Sequence, residues 1–214
     1  MKNPLRKPFR YKFFNATLWI IGLNVLVYAL CYFSPANLGL QKRLALNAVL
    51  FFKGHWFYQA FTYMFVHAGV WHLVLNMIGL LWAGLAVEKS IGSWEFILLY
   101  LFCGIFDGIL SATIYWFTGQ YMVFLMGASG AIYAILLVFS VLYPRSVISI
   151  WGIIPVPAPL LVVIYAVIEF VSQFSSSSNV AHMTHLLGFA LAYLYLLVRM
   201  GVNPVKVWKN AWHR

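Results

Sequence analysis

The sequence predicts an all-α, polytopic membrane protein: six transmembrane helices in a bundle whose fourth helix is short and starts below the outer surface. Three observations predict it. The chain is 64% hydrophobic and 8% charged, too apolar to cover a water-soluble domain with polar surface. Six apolar segments follow one another, at about 16 to 34, 69 to 87, 95 to 117, 129 to 143, 159 to 174 and 181 to 199. The fourth is only about 15 residues, or roughly 22 Å at ~1.5 Å per residue, against a hydrocarbon core of about 30 Å. If Arg145 anchors its inner end at the interface, its outer end, at Ser129, lies roughly 8 Å below the opposite surface. Irregular backbone at that depth requires surrounding protein or a water-filled cavity.

Taken in order, residues 1–15 are a basic tail, 16–199 a single membrane domain and 200–214 a second basic tail. The formal charge of +10 does not form a nucleic-acid patch, because the basic residues gather at the two ends and beside the apolar spans. Lys2, Arg6, Lys7, Arg10 and Lys12 precede the first span, and Arg199, Lys206, Lys209 and Arg214 follow the last. The positive-inside bias therefore puts both termini in the cytoplasm, in agreement with an even number of spans. No short apolar region with a small-residue cleavage site follows the basic start, so the first span reads as retained. A bacterial inner membrane is the simplest location. The loop from about 35 to 66 is rich in apolar and aromatic residues and reads as partly interfacial, with Trp56, Phe57 and Tyr58 as anchors. Pro155, Pro157 and Pro159 rule out continuous helix before the fifth span, although Pro159 suits its first turn. Ser175 to Asn179 forms a short polar outer loop. Cys31 and Cys103 lie inside apolar runs without disulfide or metal spacing, and the sequence shows no metal set, nucleotide loop or other cofactor motif.

Depth bookkeeping brings several polar side chains into one layer. His72 and Asn76, at i and i+4 on one helical face, fall at roughly 4 and 10 Å. His185 falls at about 6 Å and Ser129 at about 8 Å. Intramembrane polar groups are expensive and normally face a cavity or bundle interior, so this agreement points to a common site. Gly130 with Ala134, and Gly188 with Ala192, are small-xxx-small pairs that let the fourth and sixth spans approach closely. Such an approach brings Ser129 toward His185, a nucleophile and base for acyl transfer. His72, the Asn76 amide and the Ser129 backbone N–H are then available donors to an oxyanion. Each residue alone has an ordinary structural reading; the constellation is stronger than any member.

These residues resemble the rhomboid family of intramembrane serine proteases across nearly the whole chain, in its minimal six-helix form. The motifs are His72-Leu73-Val74-Leu75-Asn76, Gly127-Ala128-Ser129-Gly130 and Ala181-His182-Met183-Thr184-His185-Leu186-Leu187-Gly188. The resemblance implies Ser129 as nucleophile, His185 as general base, and His72 with Asn76 in the oxyanion hole. It further implies Tyr133 stacked under the imidazole, with Gly127, Gly130 and Gly188 supporting the site. His67 matches a family histidine before the second span, and Ala86-Val87-Glu88-Lys89 resembles the segment at that span's inner end. Three departures stand out. Phe57 follows Trp56 where the family commonly has arginine; Ala192 replaces the second glycine after the histidine; and His182 competes with His185 as base. His185 is preferred for its spacing to Gly188 and its greater depth.

The expected function is hydrolysis of peptide bonds in or near transmembrane segments of other membrane proteins, through a Ser–His dyad and an acyl-enzyme. The expected partners are those segments and the lipid bilayer, with no nucleic acid and no nucleotide. Phe170 and Phe174 are candidate gate residues for lateral access beside the fifth span, and the loop at Ser175 to Asn179 a cap over the cavity. Asp107, near the middle of the third span at roughly 15 Å and so deeper than the serine layer, and Glu169, near that layer, are intramembrane acids. Either could complete a triad, but the resemblance implies a dyad without an acid, and Glu169 is expected to face water or a polar neighbour. A catalytically silent rhomboid-like binder of client helices is the alternative, ahead of a small channel or transporter.

Overall fold

The computed structural model describes residues 6, 9–33, 37–150, 153–175 and 179–212. The apolar segments are helical where the hydropathy pattern puts them. The membrane helices are α1 (Ala16–Phe33), the pair α5 (Val70–Gly79) and α6 (Leu85–Ile91), α7 (Ser93–Phe117), α8 (Ser129–Leu142), α9 (Ala158–Ser175) and α10 (Asn179–Tyr195). α5 and α6 form one continuous helix, Val70–Ile91, joined through a widened turn at Leu80–Gly84, and α10 continues through a similar turn to Met200. Among the described residues four helices are long and apolar enough to cross a membrane, while α8 and α9 are shorter apolar helices. Exposed Trp19, Leu26, Trp82, Phe106 and Phe170 show that the outer faces are apolar, as a lipid-facing surface requires.

α8 is the central helix. Of its 14 residues, Gly130, Ala131, Ile132, Ala134, Ile135, Leu137, Val138, Phe139, Ser140 and Val141 are buried, packed by α7, α9 and α10. A helix apolar on every face is stable only when enclosed. The approach of α10 depends on glycine: a Cβ at Gly188 would lie 2.3 Å from the Gly130 carbonyl oxygen. The neighbouring Ala192 is fully buried, so alanine fits at the next small position along α10.

The loop between α1 and α5 folds into three short helices, α2 (Asn37–Leu44), α3 (Ala48–Phe52) and α4 (Gln59–Thr62). Asn47 caps α3 by accepting from the Val49 and Leu50 N–H groups, while its amide donates to the carbonyls of Tyr121 and Val123. An antiparallel bridge pairs Leu46 with Leu125. The loop between α1 and α5 thus braces the segment that leads into α8.

At the other end a hairpin, β1 (Val147–Ile150) with β2 (Ile154–Pro157), occupies the proline-containing stretch and delivers the chain to α9. The C-terminal segment carries an additional helix, α11 (Pro204–Trp212). It folds back on the C-terminal end of α8: the Trp208 indole donates to the Ser140 carbonyl, and Arg145 donates to that of Ala211.

Two buried carboxylates tie this end together. Glu95 accepts from Tyr195 and from two nitrogens of Arg199. Glu88 accepts from the Ala16 and Thr17 N–H groups, the Thr17 hydroxyl and Ser93 Oγ, so it caps α1 from another helix. Removing one partner of a buried charged network leaves several donors unsatisfied. Glu88→Ala is expected to lower stability by about 3 kcal/mol. In detergent thermal unfolding it should lose far more than Lys89→Ala; equal losses would show that the cap contributes little.

Candidate functional site

The segment before α8 turns at Gly127, whose φ of +117° is open to glycine and strained for other residues. Its N–H donates to the Tyr63 carbonyl at 3.0 Å, which fixes the segment on the outer loop. A Cβ at Gly127 would lie 2.8 Å from both Cε1 and Nε2 of His72 and 3.7 Å from Asn76 Nδ2. The backbone just before Ser129 therefore lies directly against His72 and Asn76. Asn76 Nδ2 donates to the His72 carbonyl at 2.9 Å, orienting the amide with its second N–H in reserve.

Ser129 is the first residue of α8 and is half-buried. One turn on, the Tyr133 ring lies face to face with His185, with centroids 4.1 Å apart and planes 6° from parallel. Tyr133 and the Gly130–Gly188 contact together hold His185 beside the first turn of α8. Among the described residues no hydrogen bond joins Ser129 Oγ to His185. Such bonds are often long in enzymes without substrate and tighten on binding.

The other side of the imidazole is firmly held. His185 Nδ1 is 2.8 Å from Glu169 Oε1, and His182 Nδ1 is 2.5 Å from Glu169 Oε2. The Tyr133 hydroxyl also donates to Glu169 Oε1. His182 and His185 thus share one carboxylate, but only His185 stacks on Tyr133. The sequence places Glu169 near the polar layer, facing water or a polar neighbour or completing a triad, without naming the two histidines that it meets. The available signal was the i, i+3 spacing of the two histidines, which puts both on one helical face and within reach of a single acceptor.

Asp107 differs from its depth estimate. A Cβ at Gly130 would lie 1.9 Å from Asp107 Oδ2, so the carboxyl group abuts the residue after Ser129 rather than lying well below it. Counting along upright helices leaves out tilt. Asp107 is fully buried and receives a hydrogen bond of 3.3 Å from the Tyr63 hydroxyl, behind α8. Phe170 and Phe174 pair edge to face at 5.3 Å and are exposed, on the outward side of α9. Phe170 borders an apolar groove with Leu186 and Phe189 of α10. The expected cap falls largely at 176–178, outside the described residues.

A helical membrane bundle with a short, enclosed central helix, opening on a glycine-rich turn and a serine, defines a class of intramembrane protein. The Rhomboid domain model matches residues 54–201, and the chain belongs to the rhomboid family. It is 33% identical over 102 residues to RHOMBOID-like protein 1 of Arabidopsis thaliana, covering 48% of this chain and 25% of that protein. It is 30% identical over 159 residues to RHOMBOID-like protein 12, mitochondrial, of the same plant, covering 66% and 46%. It is 29% identical over 187 residues to Rhomboid protease GluP of Bacillus subtilis (strain 168), covering 84% and 35%. The chain spans less than half the length of each of these relatives.

His67 lies between the outer loop and α5, its ring 5.0 Å from that of His72 at 69°. Burial, followed by the neighbouring His72, lowers its pKa from the ordinary 6.5 to about 4. The unfolded chain therefore binds this proton at a higher pH than the folded one. Stability is full above the unfolded value and falls as pH drops from 6.5 toward about 4; the loss amounts to about 3 kcal/mol. The drop in Tm between pH of about 7 and 4.5 is expected to be smaller in His67→Gln than in the wild type; equal drops would assign the acid sensitivity to other groups.

Proposed function

We propose that the chain is an intramembrane serine endopeptidase that cleaves transmembrane segments of other membrane proteins near the outer leaflet. The observation that carries this reading is the stacking of His185 on Tyr133 at 4.1 Å, one turn from Ser129, with Nδ1 tethered and Nε2 left as the free base. In the proposed reaction Ser129 Oγ attacks the scissile carbonyl carbon as its proton passes to His185 Nε2. The oxyanion is met by His72, Asn76 Nδ2 and the Ser129 N–H at the start of α8. The intermediate collapses, the C–N bond breaks, and the imidazolium returns the proton to the leaving amine. Water then repeats the sequence on the acyl-enzyme with His185 again as base.

The site's depth sets the substrate requirement. A helical substrate has its carbonyls bonded and shielded, so it must unwind locally before attack, which favours small or helix-breaking residues near the outer end of a span. Location in a bacterial inner membrane belongs to the same proposal, with both termini cytoplasmic as the distribution of Lys and Arg favours. The alternative, a catalytically silent protein that binds client helices, has one observation in its favour, the missing Ser129–His185 hydrogen bond.

A fluorophosphonate probe separates the two. Labelling of the folded wild type should disappear in Ser129→Ala and His185→Ala and survive in His182→Ala. A folded wild type that takes no label would favour the silent binder, and loss only in His182→Ala would transfer the base to His182.

Lateral access past α9 is a further part of the proposal. Replacing Phe170 and Phe174 together by Ala should raise cleavage of a single-span reporter carrying a helix-breaking residue near its outer end, with fluorophosphonate labelling unchanged. Unaltered or slower cleavage in a folded variant would count against a gate at these rings.

A further inference from the structure

Glu169 stands outside the two-residue machinery proposed above, yet it is the most heavily bonded side chain around it. It is 6% exposed, and three donors converge on its two oxygens from two other helices. A carboxylate at membrane depth is expensive, and a neutral side chain is the cheaper way to pin three helices together. This one meets the nitrogen of His185 that the proposed reaction leaves unused.

We propose that Glu169 is a positioning residue for His185 and makes the pair a Ser129–His185–Glu169 triad, with His182 fixing the carboxylate from the outer side. This rests on the reading of His185 as the general base. An ionised carboxylate only accepts, so His185 must carry its proton on Nδ1, which leaves the Nε2 lone pair to receive the proton from Ser129. When that transfer makes the ring cationic, the new charge lies 2.8 Å from Glu169 Oε1. The negative charge is thus placed where it favours the charged intermediate over the resting state.

Each contact has a defined part in this arrangement. His182 Nδ1 engages Oε2, so the carboxylate cannot rotate away from His185. The Tyr133 hydroxyl engages Oε1, while its ring supports the face of the same imidazole. A single tyrosine therefore orients both base and acid. Glu169 is carried by α9, His185 by α10 and Ser129 by α8, so the triad assembles only when these three helices are packed together.

The test measures fluorophosphonate inactivation at saturating probe, alongside NMR of histidine-labelled protein. Glu169→Gln keeps shape and removes charge. It should lower kinact by about 30-fold or more while KI changes less than about 2-fold, because the base is affected and probe binding is not. In the wild type, His185 should show a strongly hydrogen-bonded, downfield Nδ1–H resonance, assigned by its loss in His185→Gln and absent in Glu169→Gln. A kinact in folded Glu169→Gln within about 3-fold of wild type would overturn the proposal. So would a folded wild type lacking that resonance, a result that holds even if the variant does not fold. Failure of the protease reading is distinguishable: the folded wild type would take no label at all, removing the catalytic role while the resonance still reported the tether.

Discussion

The near-contact of α8 and α10 is the constraint on which the remaining structure depends. Two glycines, Gly130 and Gly188, let one backbone rest on the other, and a single added methyl group would collide with a carbonyl oxygen. In lipid, helices gain little from apolar burial against one another, so close backbone packing is a main source of association. Here it also sets chemical geometry. With the backbones this close, His185 reaches the first turn of α8 and its ring comes to rest on Tyr133.

The position of α8 follows from its length and from its bracing. A 14-residue helix is too short to reach both surfaces of a bilayer, so at least one of its ends must be enclosed. Enclosure is supplied on the membrane side by α7, α9 and α10 and on the outer side by the loop of short helices, through Asn47, the Leu46–Leu125 bridge and the Tyr63 carbonyl. At the opposite end, α11 and the hairpin close around the exit of α8. Glu88 and Glu95 each gather donors from separate helices, so one end of the bundle is joined by buried charge and the other by polar side chains around the serine.

Polar groups are arranged in two sets around the same short helix. On one side, His72 and Asn76 lie against the Gly127 turn that leads into the serine. On the other, Tyr133, His182 and His185 converge on Glu169. Asp107 occupies a third position, behind Gly130 and held by Tyr63, where it packs the helix start from within the bundle.

The sequence by itself determined the apolar helices and the short fourth span. These depend on local quantities: runs of apolar residues, their length at a fixed rise per residue, and i, i+4 spacing on one face. It also made Ser129, His185, His72 and Asn76 legible as candidates, because polar residues are rare in such spans and their depths agreed. Tertiary structure decided which of them touch. The sharing of Glu169 by two histidines and a tyrosine depends on how α8, α9 and α10 are rotated about their axes, and that rotation is set by side-chain packing, which periodicity does not encode. The same holds for Asp107, which meets Gly130 of another helix, and for Glu88, whose partners on α1 lie 71 and 72 residues away in sequence. Contacts between distant segments emerge only once the close approach of the helices has fixed their relative orientation.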